Sequence, residues 1–152
     1  MRRRDVYSLA ALLPLLAVAG GMTMWPAAAQ EAGALVMVVN KANTSAAVSK
    51  ADAKRMLLGQ MASWTDGQKV VVAMRGQTAE RAAVLDKVCG MKEAEYTRYE
   101  MQVMFTGRAA AKVQEEPSAA AIKSFVEANP GAVGFVRAAE ADKSVKVVLT
   151  LE

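Results

Sequence analysis

The residues with the most chemistry to offer stand together as Arg75-Gly76-Gln77-Thr78. A short β-branched run, Val70 to Val72, comes before them, and the spacing predicts a helix from Thr78. A strand that ends in a polar turn and feeds a helix is half of a βαβ unit. The start of a helix carries free backbone N–H groups and the positive end of the dipole, which suits an anion. Arg75 adds a planar fork of fixed donors. The chemistry this pattern offers is recognition of a small anion, with Arg75, Gly76, Gln77 and Thr78 as the ligand-binding set. Each has a plainer alternative: Arg75 as an arginine exposed in a turn, and Thr78 as a helix cap. The cap and a ligand contact can both hold at Thr78.

Other chemistries lack their residues. The chain contains no histidine, which removes Ser-His and Cys-His catalysis and most zinc sites. No G-x-S-x-G and no S-x-x-K occurs. No carboxylate pair stands out, so there is no nucleophile–base pair and no enzyme is expected. Cys89 is the only cysteine, so no internal disulfide can form. It ends an apolar helical stripe and reads as a buried, inert thiol. Thioethers can hold Cu(I), but Met56, Met61, Met101 and Met104 are spread over separate helices and loops. They read as flexible core filler, so no metal or cofactor is expected.

The chain must build a scaffold around that turn. Ala34 to Val39 is a continuous apolar run between Gly33 and Asn40, the pattern of a buried strand. Ser49 caps a helix with Asp52 three residues on, Ala53, Met56 and Leu57 face inward, and Gly59 ends it. A loop with Trp64 and an Asp66-Gly67 turn leads to a second strand, Val70 to Met74. Trp64 is expected to pack that loop onto the sheet edge. The helix from Thr78 carries Glu80 in its first turn, which complements the dipole. Val84, Leu85 and Val88 face inward, and Gly90 stops it. Glu93 to about Phe105 is a helix with Tyr96, Tyr99 and Val103 on one face. Ala109 to Glu116 reads as a connection. Pro117-Ser118 opens a last helix with Ile122, Phe125 and Val126 inward, and Asn129-Pro130-Gly131 stops it. Strands follow at 132–136 and 145–151, joined by a link too short for a helical crossover, so the last strand is expected to run antiparallel. This order predicts an α/β fold, a three-layer sandwich around a mainly parallel (mixed) sheet of about four to five strands.

The N-terminus has its own pattern. Arg2-Arg3-Arg4 precedes an apolar run from Leu9 to about Met24, and Ala27-Ala28-Ala29 follows. These are the n-region, h-region and cleavage site of a secretory signal peptide, residues 1–29. An uncleaved membrane anchor is the alternative, against which the run is short. Residues 30–152 then form one domain, large enough for a core of its own. Removing three arginines and one aspartate from nineteen basic and fifteen acidic residues leaves a net charge of +2. That excess is scattered, so no nucleic-acid partner is expected.

Several of these segments resemble one family. Leu58-Gly59-x-x-x-x-Trp64, Phe105-Thr106-Gly107-Arg108 and Asn129-Pro130-Gly131-Ala132-Val133-Gly134-Phe135-Val136 are similar, in order and spacing, to motifs of phosphate-type periplasmic substrate-binding proteins. The resemblance runs from about Ala34 to Leu149. In that family a two-lobed type II receptor closes on an oxyanion, and this chain resembles one lobe. Arg75 matches the arginine of the family's phosphate loop and Thr78 its threonine. Gly76-Gln77 replaces a G-S-G turn, and an aspartate after the arginine is absent. The resemblance implies a periplasmic protein for phosphate or another small anion, partnered by an ABC transporter in the membrane. The alternative is a periplasmic interaction module. A lone lobe is further expected to leave an apolar face that pairs with a partner or with a second copy, as a homodimer.

Overall fold

The structure is a computed structural model and describes residues 33–108 and 113–152. The proposed signal peptide, 1–29, lies outside them. Strand β1 is Leu35–Val39, β2 Val71–Arg75, β3 Val113–Glu116, β4 Ala132–Arg137 and β5 Lys146–Leu151. Helix α1 is Lys50–Leu57, α2 Ala79–Val84, α3 Glu93–Phe105 and α4 Ala119–Ala128. A π-helical turn, Leu85–Cys89, continues α2 until Gly90 ends it at φ 69°, a left-handed geometry that glycine adopts without a Cβ clash.

The strands form one sheet in the order β3-β2-β4-β1-β5. β2 runs parallel to both β3 and β4, while β1 runs antiparallel to β4 and to β5. Four strands therefore share one direction, and β1 opposes them. The sheet is mixed and mainly parallel, as the alternation of elements predicts. The last strand does pair antiparallel, but with β1 rather than with β4. The short link returns the chain along β1, so β4 and β5 flank it and point the same way.

Alternation along each strand sorts side chains onto two faces. Leu35, Met37 and Val39 join Val72, Met74, Val133 and Phe135 under α1, α2 and α3. Val36, Val38, Ala73, Ala132 and Val136 face α4 through Ile122 and Val126. All five residues of β1 are buried, which is why it reads as an unbroken apolar run. The α4 face uses small residues so that the helix can approach closely. A Cβ on Gly134 would lie 2.5 Å from Ile122 Cγ2 and 3.1 Å from Val126 Cγ2. The result is an α/β three-layer sandwich.

The helix starts follow the sequence. Ser49, Thr78 and Ser118 each accept a backbone N–H from three residues on, at 3.0, 3.3 and 3.1 Å. Buried Asn40 donates to the carbonyls of Val126 and Glu127, holding the end of α4 against β1.

Three readings need correction. The stretch from Ala109 to Glu116 is not all connection, because Val113–Glu116 forms edge strand β3. Trp64 packs at the end of the strands rather than along their edge, its indole N–H donating to the Gly131 carbonyl that leads into β4. Met56 is core, but Met101 and Met104 are 50% and 73% exposed, so they fill nothing.

Candidate functional site

Arg75 ends β2, Gly76 and Gln77 make the turn, and Thr78 caps α2. The four residues thus sit together at the carboxyl edge of a parallel strand, as one continuous turn. In open α/β sheets ligands bind outside the carboxyl ends of the strands, where successive connections leave to opposite faces. That condition is met here. The chain leaving β2 goes to the face of α2 and α3, and the chain leaving β3 goes to the face of α4. Gln77 is exposed, and a Cβ added at Gly76 would meet Glu115 Oε2 at 3.8 Å, an ordinary contact.

The register of β2 on β4 adds a residue that no local pattern reveals. Ala73 lies opposite Gly134, so the ends of the two strands bring Arg75 and Arg137 to the same edge. Both arginines converge on one carboxylate. Arg137 Nη2 donates to Glu80 Oε1 at 2.5 Å, and Arg75 Nη1 lies 3.7 Å from the same oxygen. Glu80 is only 19% exposed. Its own backbone N–H, with Arg137 and Arg75, holds its carboxyl below the usual carboxylate range, against the opposing effect of burial. The acid that the sequence lacks just after Arg75 is thus supplied from the first turn of α2. Arg75 Nε is buried and has no partner. A cavity of about 10 Å³ lies beside them, walled by Met74, Val84 and Phe135 as well as by Arg75, Glu80 and Arg81.

A second charged cluster lies one turn further along α2. Arg81 is 5% exposed. Its Nε donates to Glu93 at 2.8 Å and its Nη1 to Glu115 at 3.1 Å. Its guanidinium carbon stands 5.8 Å from the Tyr96 ring centroid, within cation–π range. Position 81 is in step with 84, 85 and 88, so the period that places Val84, Leu85 and Val88 inward also points Arg81 inward. That signal was available in the sequence. This cluster ties α2 to α3 and β3, which is a structural task.

A roomier hollow, about 680 Å³, lies elsewhere, between the end of α1 and the C-terminal half of α3. Leu58, Gln60, Tyr99, Gln102 and Arg108 line it. Tyr99 there donates its hydroxyl to the Leu58 carbonyl, and Arg108 is the one charged side chain lining it among the described residues. Size favours that hollow, but converging charge favours the edge at Arg75. Among the described residues no group of three His, Cys, Asp or Glu side chains is arranged to hold a metal.

No protein-family model matches the sequence, and no curated protein matches it significantly. Solved structures do match. A Clostridium perfringens protein assigned as a phosphate ABC transporter substrate-binding protein, with phosphate bound, superposes with a TM-score of 0.61. It is 22% identical, over 75% of this chain and 43% of its own. PstS from Borrelia burgdorferi superposes at 0.60 with 12% identity, over 76% and 46%. A Planctomyces limnophilus protein assigned as phosphate-binding gives 0.57 and 13%, over 75% and 40%. The chain spans less than half the length of each of these three structures. Its fold is that of one lobe of a phosphate-type substrate-binding protein.

Proposed function

We propose that this chain binds a small oxyanion, with phosphate as the reference ligand, weakly and at the Arg75 edge. The observation that carries the reading is the convergence of Arg75 and Arg137 on a single carboxylate, beside the start of α2. The Glu80 carboxylate stands in for an anion: it offers acceptor oxygens of the same kind to the same donors. Arg75, Gly76, Gln77 and Thr78 are the proposed contacts, with Arg137 added. The fold shared with phosphate-binding proteins supports the choice of ligand class.

The contacts at this edge set the affinity. Charge-assisted hydrogen bonds contribute about 1.5–3 kcal/mol each, and a helix terminus adds about 0.3–1 kcal/mol. Loss of translational and rotational freedom costs about 4 kcal/mol or more. Water in an open site weakens every charged contact. A net near −4 kcal/mol corresponds to a Kd on the order of millimolar. Titration with phosphate, followed by the amide signals of Gly76 to Thr78, is expected to give that affinity, with weakening by salt and loss in Arg75→Ala. Binding that ignores Arg75→Ala overturns the site.

The reading includes export to the periplasm, with cleavage after Ala29, and work with an ABC transporter in the membrane. Mass spectrometry of exported protein should then find an N-terminus at Gln30. A second reading, docking on a protein partner or a second copy, is favoured by Met101, Met104 and Phe105, which are 50%, 73% and 90% exposed. Sedimentation equilibrium separates a stable dimer from a monomer.

A further inference from the structure

We infer that Glu80 is an internal competitor for the anion and sets both the affinity and the charge selectivity of the Arg75 site. The inference rests on the oxyanion reading above and adds the residue that regulates it. Three donors face an incoming anion at this edge: Arg75, Arg137 and the N–H at the start of α2. Glu80 already engages all three, through Arg137 Nη2, Arg75 Nη1 and its own backbone N–H. An anion that takes these donors competes with the Glu80 carboxylate for them. Binding therefore requires the Glu80 side chain to swing out of the site toward solvent. Its place on the first turn of a surface helix allows this by side-chain rotation alone, with no strand moved.

The exchange selects ligands by charge. A monoanion swaps one negative group for another and gains little. A dianion such as hydrogen phosphate or sulfate brings a second charge to the same two guanidinium groups. The site as built therefore prefers dianionic oxyanions to chloride, nitrate or acetate.

The test is a titration of wild type, Glu80→Gln, Glu80→Asp and Arg75→Ala with inorganic phosphate, sulfate and acetate at constant ionic strength. Glu80→Gln removes the competing charge at nearly constant shape. Glu80→Asp shortens the arm that reaches Arg137 and checks the result in a chain that keeps the acid at the helix start. Both are expected to bind phosphate about tenfold tighter than wild type or better, since one charge-assisted contact no longer has to be broken. Glu80→Gln is also expected to bind acetate, which wild type ignores. Wild-type binding abolished by Arg75→Ala, with no tightening in either Glu80 variant, overturns the inference and leaves the oxyanion reading standing. Binding unaffected by Arg75→Ala, or absent from all four proteins, overturns both. Binding seen only in the Glu80 variants supports the inference and overturns the reading that the wild-type chain binds the anion.

Discussion

The Trp64 indole N–H donates to the Gly131 carbonyl at 3.0 Å. This contact ties the loop after α1 to the turn before β4, so two segments that resemble one family in sequence touch in space. Gly131 is there for a steric reason. A Cβ at this position would fall 2.1 Å from the Lys69 carbonyl oxygen, which is backbone and cannot step aside. Trp64 is 6% exposed and fills the space under the same turn.

Trp64→Phe should therefore cost more than a ring's difference in area. It removes the donor from a part-buried carbonyl, worth about 1–3 kcal/mol. Gly131→Ala should cost at least as much, since overpacking against fixed backbone costs about 1–3 kcal/mol or more. Urea unfolding of both variants checks this. A Gly131→Ala protein as stable as wild type would show that the turn relaxes easily.

Arg81→Met is expected to lower stability by about 2–3 kcal/mol. Breaking a buried pair from one side costs roughly 3–5 kcal/mol. Here the acids left behind, Glu93 and Glu115, are 28% and 62% exposed and keep part of their hydration. The loss therefore falls at or below the lower end of that range. The loss should shrink in Arg81→Met with Glu115→Gln, because fewer like charges then face one another. Equal losses in single and double variants would place the effect in packing on Tyr96 alone.

Much of the scaffold is legible because its signals are local. Val36 and Met37 lie in an apolar run, Ser49, Thr78 and Ser118 precede inward-facing stripes, and Gly59 and Gly90 end helices in left-handed geometry. β3 is not legible, since Val-Gln-Glu-Glu has neither an apolar run nor a full alternation. As an edge strand it pairs on one side only and tolerates two glutamates. The site divides in the same way. Arg75 to Thr78 are neighbours in sequence and can be read as a turn. Arg137 reaches Glu80 only through the register of β4 on β2, and register is a property of the folded sheet.

Cys89 should be slow to react. It is 5% exposed, and burial pushes its thiol up to about 11, with Lys54 pulling weakly the other way. A rise of about two units from the ordinary value leaves about a hundredfold less thiolate at pH 8. Titration with a disulfide reagent should find no reactive thiol in the native state within the time that unfolded protein gives one equivalent. Fast native labelling would mean that the end of α2 opens readily.

Glu100 offers the cleanest test of how pH acts on this fold. Burial raises its carboxyl above the ordinary value, Arg81 pulls it down, and Glu93 and Glu115 push it up again. An acid whose folded value is raised contributes stability that is fully present below its unfolded value and is lost as pH rises through its folded value. At pH 7 the native state therefore holds Glu100 ionised against preference. Glu100→Gln removes that charge and keeps the shape, so it should raise the urea midpoint at pH 7. The gain should shrink as pH falls into the carboxylate range, where wild-type Glu100 takes up its proton. Glu80 has the opposite sign: its lowered value contributes stability above its unfolded value, lost as pH falls. Glu80→Gln should therefore destabilise at pH 7 and converge on wild type in acid. If both variants shift stability in the same direction at pH 7, the environments assigned to these two glutamates are wrong.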